Sequence, residues 1–215
     1  QLDVTGNIWW AIKLAICSYK IWAGFLLLIL VEYAIIIRTG KEVICLVILG
    51  VDPGYAIVGW GCVRYEKGRY FLMDYGTVTT PADMDFPERL YKLHIDLIDK
   101  LNTLKPDVLA VEKLYFKNNQ KTAIDVAQAR GVIVLTARQL GIPVYEYTPL
   151  QVKSAVTGFG KAEKQQVMEM TRRLLGLKEV PRPDDAADAL AIAICHANTC
   201  GTPLKERLSR MKSVY

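Results

Sequence analysis

Asp52 ends the apolar run VILGVD, Glu112 ends the run DVLAVE, and Asp185 and Asp188 open the stretch DDAADALAIAI. Each carboxylate therefore begins or terminates a segment that is otherwise built for burial. Asp185 and Asp188 are spaced i, i+3 and share one helical face, which continues with apolar residues. If the two strand-like runs are parallel neighbours, Asp52 and Glu112 stand side by side at one edge, in the crevice where α/β sheets place ligands. Four carboxylates gathered there repel one another, and burying them costs several kcal/mol unless they are paired. Hard divalent cations satisfy such an oxygen-rich set, which points to Mg²⁺ or Mn²⁺. Two ions about 4 Å apart are the arrangement used for in-line displacement at phosphate. Each acid also has an ordinary role open to it. Asp52 can make a turn with Pro53-Gly54, and Glu112 can pair with Lys113 or Lys117. Asp185 and Asp188 can simply favour a helix N-terminus, by about 0.3–1 kcal/mol apiece. The coincidence of all four is what points to chemistry.

The elements that must position these acids are legible from residue 43 onward. VICLVILGVD (43–52) is a continuous β-branched and leucine run, the mark of a strand covered on both faces. Residues 56–66 and 69–80 follow short Pro-Gly-Tyr and Lys67-Gly68 turns, giving an antiparallel meander. Residues 86–104 carry Leu90, Leu93, Leu97 and Leu101 at helical spacing, with Pro87 in the first turn. A strand over 106–114, a helix over 121–141, a strand over 142–148 and a helix opened by Thr148-Pro149 follow. Two more helices are expected, over 161–176 and from Asp184, read as the N-cap, to about Asn198. The result is an α/β fold: a mixed five-stranded sheet flanked by helices, with the first strand central.

The chain has 215 residues and a net charge of +5, which suits a polyanionic partner without requiring one. Its 5 cysteines form no CxxC pair and read as reduced thiols, and 2 histidines are too few for a histidine-rich metal site. Residues 1–45 differ in kind. IWAGFLLLILVEYAIII (21–37) is apolar except for Glu32 and approaches the roughly 20 residues of a membrane span. The chain opens on Gln1, and Lys41-Glu42-Val43 can be encoded by a ribosome-binding sequence just before the start-compatible Leu46 and Val47. The expectation is that residues 1–45 are upstream sequence read in frame, in preference to a membrane anchor. Residues 46–200 then form one domain and 201–215 a basic tail.

The blocks ILGVDPG, AVEKLYFKNN, AQARG, YTPLQVKSAVTGFGKAEKQQV and DDAADALAIAICH resemble, in order and spacing, the RuvC family of Holliday junction resolvases. The resemblance covers about residues 46–200. It implies an RNase H-like fold, a homodimer, and divalent-metal cleavage of four-way DNA junctions, with two Mg²⁺ per site and Mn²⁺ able to substitute. The family's catalytic acids carry over to Asp52, Glu112, Asp185 and Asp188, and its lysines near the scissile phosphate to Lys153 and Lys164. Tyr115 stands where the family often has a phenylalanine that stacks on bases at the crossover, and Phe116 beside it can share that role. Lys117, Lys121 and Lys161 join them as candidate DNA contacts. The resemblance further implies the RuvA–RuvB branch-migration complex as partner, a cytoplasmic, DNA-associated setting, and no membrane for the core domain. Three rivals remain open: an RNase H-like nuclease for RNA or other branched DNA, an actin-like ATPase fragment, and a DNA-binding module without catalysis.

Overall fold

A computed structural model describes residues 45–114 and 120–200, all within the unit Ile44–Tyr215. The read-through or anchor expectation for residues 1–45 and the tail 201–215 thus lie outside the described residues, apart from Cys45. Among the described residues no helix is long and apolar enough to cross a membrane.

Strands β1 (Cys45–Asp52), β2 (Ile57–Glu66) and β3 (Arg69–Thr79) form the meander. Helix α1 (Phe86–Leu104), β4 (Val108–Glu112), α2 (Gln120–Gln139) and β5 (Val144–Tyr147) follow, then α3 (Pro149–Thr157), α4 (Lys164–Leu174) and α5 (Asp184–Cys200). The sheet order is β3-β2-β1-β4-β5. β1 is central, antiparallel to β2 and parallel to β4 with Val51 opposite Val111. Asp52 and Glu112 are the next residues on each strand.

Strand alternation decides which way those acids point. In β1 and β4, Ile48, Val108 and Ala110 pack in the core shared with α3, α4 and α5. Leu49, Val51, Leu109 and Val111 pack on the opposite face, with Leu93, Leu97 and Leu101 of α1 and Ala129, Ile133 and Ala137 of α2. Asp52 and Glu112 share the parity of Ile48 and Val108, so both side chains project toward α5.

The distance of α5 from the sheet is set by glycine and alanine. A Cβ added to Gly50 would stand 2.0 Å from the carbonyl oxygen of Ala189, and one added to Gly59 would stand 2.0 Å from that of Asp185. Only strand residues without side chains allow this backbone approach. On α5, the buried Ala186, Ala189, Ala193 and Ala197 keep the helix face shallow.

Helix ends refine the sequence reading. Thr148 caps α3 as expected: its hydroxyl accepts from the Gln151 N–H at 3.1 Å, and the Gln151 side chain accepts from the Thr148 N–H at 2.8 Å. The next helix begins at Lys164, later than expected, because the Gln166 side chain takes the Glu163 N–H at 2.9 Å and fixes the start there. Lys161 is consequently in the preceding turn. Asp184 is a first-turn residue of α5 and not its N-cap: the Pro183 carbonyl accepts the opening bonds, from Ala186 and Ala187.

Gly50→Ala should drive α5 off the sheet and destabilise the domain by about 3 kcal/mol, the upper range for overpacking. Thermal melting reads this directly; an unchanged melting temperature contradicts the close-contact account.

Candidate active site

The C-terminal ends of β1 and β4, the first turns of α3 and α4, and the first turns of α5 surround a cavity of about 260 Å³. Asp52, Glu112, Asp188, Lys153 and Lys164 line it, with Pro149, Val152, Val167, Ala191 and Ile192 as its apolar wall. Parallel pairing sets Asp52 beside Glu112. The close seat of α5 on Gly50 and Gly59 brings Asp188 over them.

Asp185 stands apart from this lining. It belongs to the first turn of α5, with its backbone carbonyl against Gly59, and its charge still acts on Asp52 and Asp188. The structure therefore gathers three of the four sequence-selected acids in one cavity and puts the fourth at its margin. Both catalytic-lysine candidates are in the lining. Tyr115, Phe116 and Lys117 lie outside the described residues, as does the side chain of Lys121. Lys161 is exposed in the turn before α4.

The electrostatics record an acid excess. Burial, and then the neighbouring charges of Glu112, Asp188 and Asp185, push the Asp52 carboxyl up to about 8, against a partial opposing pull from Lys164. Burial and Asp188 raise Glu112, while Lys153 acts the other way. Burial raises Asp188 despite its bond to Lys164. Burial alone would lower Lys164, but its bonds to Asp188 and Asp184 outweigh that and hold its ammonium above the usual lysine range. Of the two ordinary partners open to Glu112, Lys113 pairs with Glu146 at 3.9 Å, and Lys117 lies outside the described residues.

These groups fit a hard divalent cation by their chemistry. They are half-buried carboxylates whose mutual repulsion two lysines only partly offset. They are not closed about one point: among the described residues no three His, Cys, Asp or Glu side chains form a ready ligand group. Neither histidine lines the cavity. His94 bonds Thr136 at 2.8 Å, and the buried His196 bonds the Tyr147 hydroxyl at 2.7 Å. Among the described residues the cysteines form no disulfide.

The contacts of two residues near the site escaped the sequence reading. Arg130 of α2 donates to the Glu112 carbonyl at 3.4 Å while pairing with Glu146, and so ties the end of β4 to the helix behind it. Asp184 accepts from Arg182 and lies 3.6 Å from Lys164. The AQARG block held a signal for the first. For Asp184 the sequence offered only a capping role.

A family model described as crossover junction endodeoxyribonuclease RuvC matches residues 48–196. The crossover junction endodeoxyribonuclease RuvC of Syntrophomonas wolfei is 55% identical over 152 residues, covering 71% of this chain and 88% of that protein. The one from Chloroflexus aurantiacus is 56% identical over 154 residues, covering 72% and 94%. The solved structure of Thermus thermophilus RuvC in complex with Holliday junction substrate superposes with a TM-score of 0.69 at 38% identity, covering 72% of this chain and 94% of that one. The fold is RNase H-like, shared with a yeast mitochondrial resolvase, Ydc2, at 15% identity and a TM-score of 0.56. These matches do not favour the ATPase-fragment, module or other-nuclease readings.

The raised Asp52 carboxyl gives a pH signature in metal-free protein. Folded Asp52 holds its proton up to about 8, whereas the unfolded residue releases it near 3.8. Between those values the folded state binds more protons, so this group makes stability fall as pH rises. Asp52→Asn should flatten that slope and melt above the parent at the alkaline end. Melting curves in EDTA between about pH 5 and pH 8 test it; identical slopes for parent and variant contradict it.

Proposed function

The chain belongs to the RuvC family of crossover junction endodeoxyribonucleases, and from that premise we propose that it resolves four-way (Holliday) DNA junctions by paired symmetric nicks. The observation that carries the reading is the shared cavity of Asp52, Glu112 and Asp188 between two parallel strand ends and α5. The products are a 5′-phosphate and a 3′-hydroxyl, and the setting is recombination and DNA repair in the cytoplasm.

Asp52, Glu112 and Asp188, with Asp185 at the margin, would hold divalent cations, two Mg²⁺ per site with Mn²⁺ able to replace them. When bound, such ions neutralise phosphate charge and make water acidic enough to attack near neutral pH. The chain's own residues supply the rest. Among the described residues no hydroxyl or thiol side chain is in the lining, which supports water as the nucleophile with no covalent protein–DNA intermediate. Lys153 and Lys164 offset the charge that develops on the non-bridging oxygens as the 3′ oxygen departs. The apolar wall of Val152, Val167 and Ile192 limits bulk water and strengthens these charge interactions.

Two matching nicks call for two sites, and a four-way junction has approximate two-fold symmetry that a symmetric dimer fits. The proposed dimer face is α2. Ile124 and Leu135 are 64% and 57% exposed, and the space beyond Gly131 between them is open. Ala127 extends this stripe, whereas Ala129 is fully buried against the sheet. Tyr115, Phe116, Lys117, Lys121 and Lys161 are proposed DNA contacts. The RuvA–RuvB complex is the proposed partner that delivers the junction.

Asp52→Asn and Glu112→Gln should each lower junction cleavage in Mg²⁺ by on the order of a thousandfold while retaining junction binding. Gel assays of cleavage and binding on the same preparations check this; cleavage at the parental rate by either variant overturns the assignment. Leu135→Arg should convert the dimer to monomer in sedimentation, with paired nicking reduced to single nicks; an intact dimer argues against the α2 face.

A further inference from the structure

Lys164 reaches the acid cluster from the first turn of α4. Its backbone is fixed by the Glu163–Gln166 cap and by Val167 and Met168, which are buried. Its side chain is 53% exposed and extends to α5, where its ammonium lies 3.0 Å from Asp188 Oδ2 and 3.6 Å from Asp184 Oδ2. Asp184 and Asp188 are spaced i, i+4, so one ammonium can bridge them. Asp184 is engaged from its other side by Arg182.

Lys164 and a divalent cation compete for Asp188. The ammonium at contact distance takes one of the two carboxylate oxygens, and the two positive charges repel. On the proposed nuclease reading we infer that Lys164 is a built-in counter-ion that holds Asp188 in the metal-free enzyme, and that Asp184 is a positioning residue that receives Lys164 when the cation takes Asp188. The transfer is short, because Lys164 already touches both carboxylates. It leaves the ammonium at the mouth of the cavity, one helical turn from Asp188, facing an arriving phosphate. It also accounts for the three lining acids not being closed about one point: Asp188 is paired with Lys164.

Metal binding without DNA tests this on the full chain, by calorimetric titration or electron paramagnetic resonance with Mn²⁺. Lys164→Gln should bind Mn²⁺ about fivefold tighter, the equivalent of releasing one exposed ion pair of about 1 kcal/mol. Asp184→Asn should bind it severalfold more weakly, because Lys164 then rests on Asp188 alone. Asp184→Glu should restore the parental affinity. In the Lys164→Gln background, Asp184→Asn should change little, since Asp184 acts through the lysine. An equal loss in both backgrounds means that Asp184 acts only as a nearby charge and overturns the positioning role. Unchanged affinity in Lys164→Gln overturns the counter-ion role. The underlying reading fails differently: parental protein that binds no Mn²⁺, or whose binding survives Asp188→Asn, refutes the metal site itself. Circular dichroism melts confirm that each variant is folded.

Discussion

The seat of α5 on the central strands is the contact on which the rest depends. Gly50 and Gly59 present bare backbone to a helix whose facing residues are alanines, and the two backbones meet at distances that no Cβ permits. The contact makes a long, apolar helix cross the sheet at one height and one rotation. Asp188 is then held over the ends of β1 and β4, where alternation has already turned Asp52 and Glu112 to the same side. The site is built on rigid elements, which is how a fold holds reacting groups to sub-ångström tolerance.

That rigidity brings like charges together. Asp52 is forced toward its protonated form by burial and by three other carboxylates, and Lys153 and Lys164 relieve only part of the repulsion. Such an arrangement weakens the metal-free domain in exchange for a strong preference for small, hard cations. The lysines stand where positive charge is useful twice, first to the carboxylates and then to phosphate.

Much of this was legible in the sequence, for identifiable reasons. The unbroken apolar run before Asp52 identified a strand buried on both faces and placed it at the centre of the sheet. Leucine spacing gave α1 from Phe86 to Leu104, and the Thr148-Pro149 pair gave the start of α3. Asp52, Glu112 and Asp188 were selectable because each interrupts apolar sequence. What remained hidden depends on contacts between distant segments. Asp185 and Asp188 share a helical face in the sequence, yet only Asp188 enters the cavity lining, and the contact of Asp184 with Lys164 comes from a different helix. Ala129 and Gly131 are both small, yet one is sealed in the core and the other faces open space. The start of α4 turned on a glutamine side chain capping Glu163, which periodicity does not register.

The central claim is that these acids form a divalent-cation site, and anomalous diffraction from crystals grown with Mn²⁺ measures that most directly. The account predicts manganese peaks within ligation distance of the Asp52, Glu112 and Asp188 carboxylates, with Lys164 withdrawn from Asp188. Manganese bound only elsewhere on the molecule, with Lys164 still seated on Asp188, would contradict it.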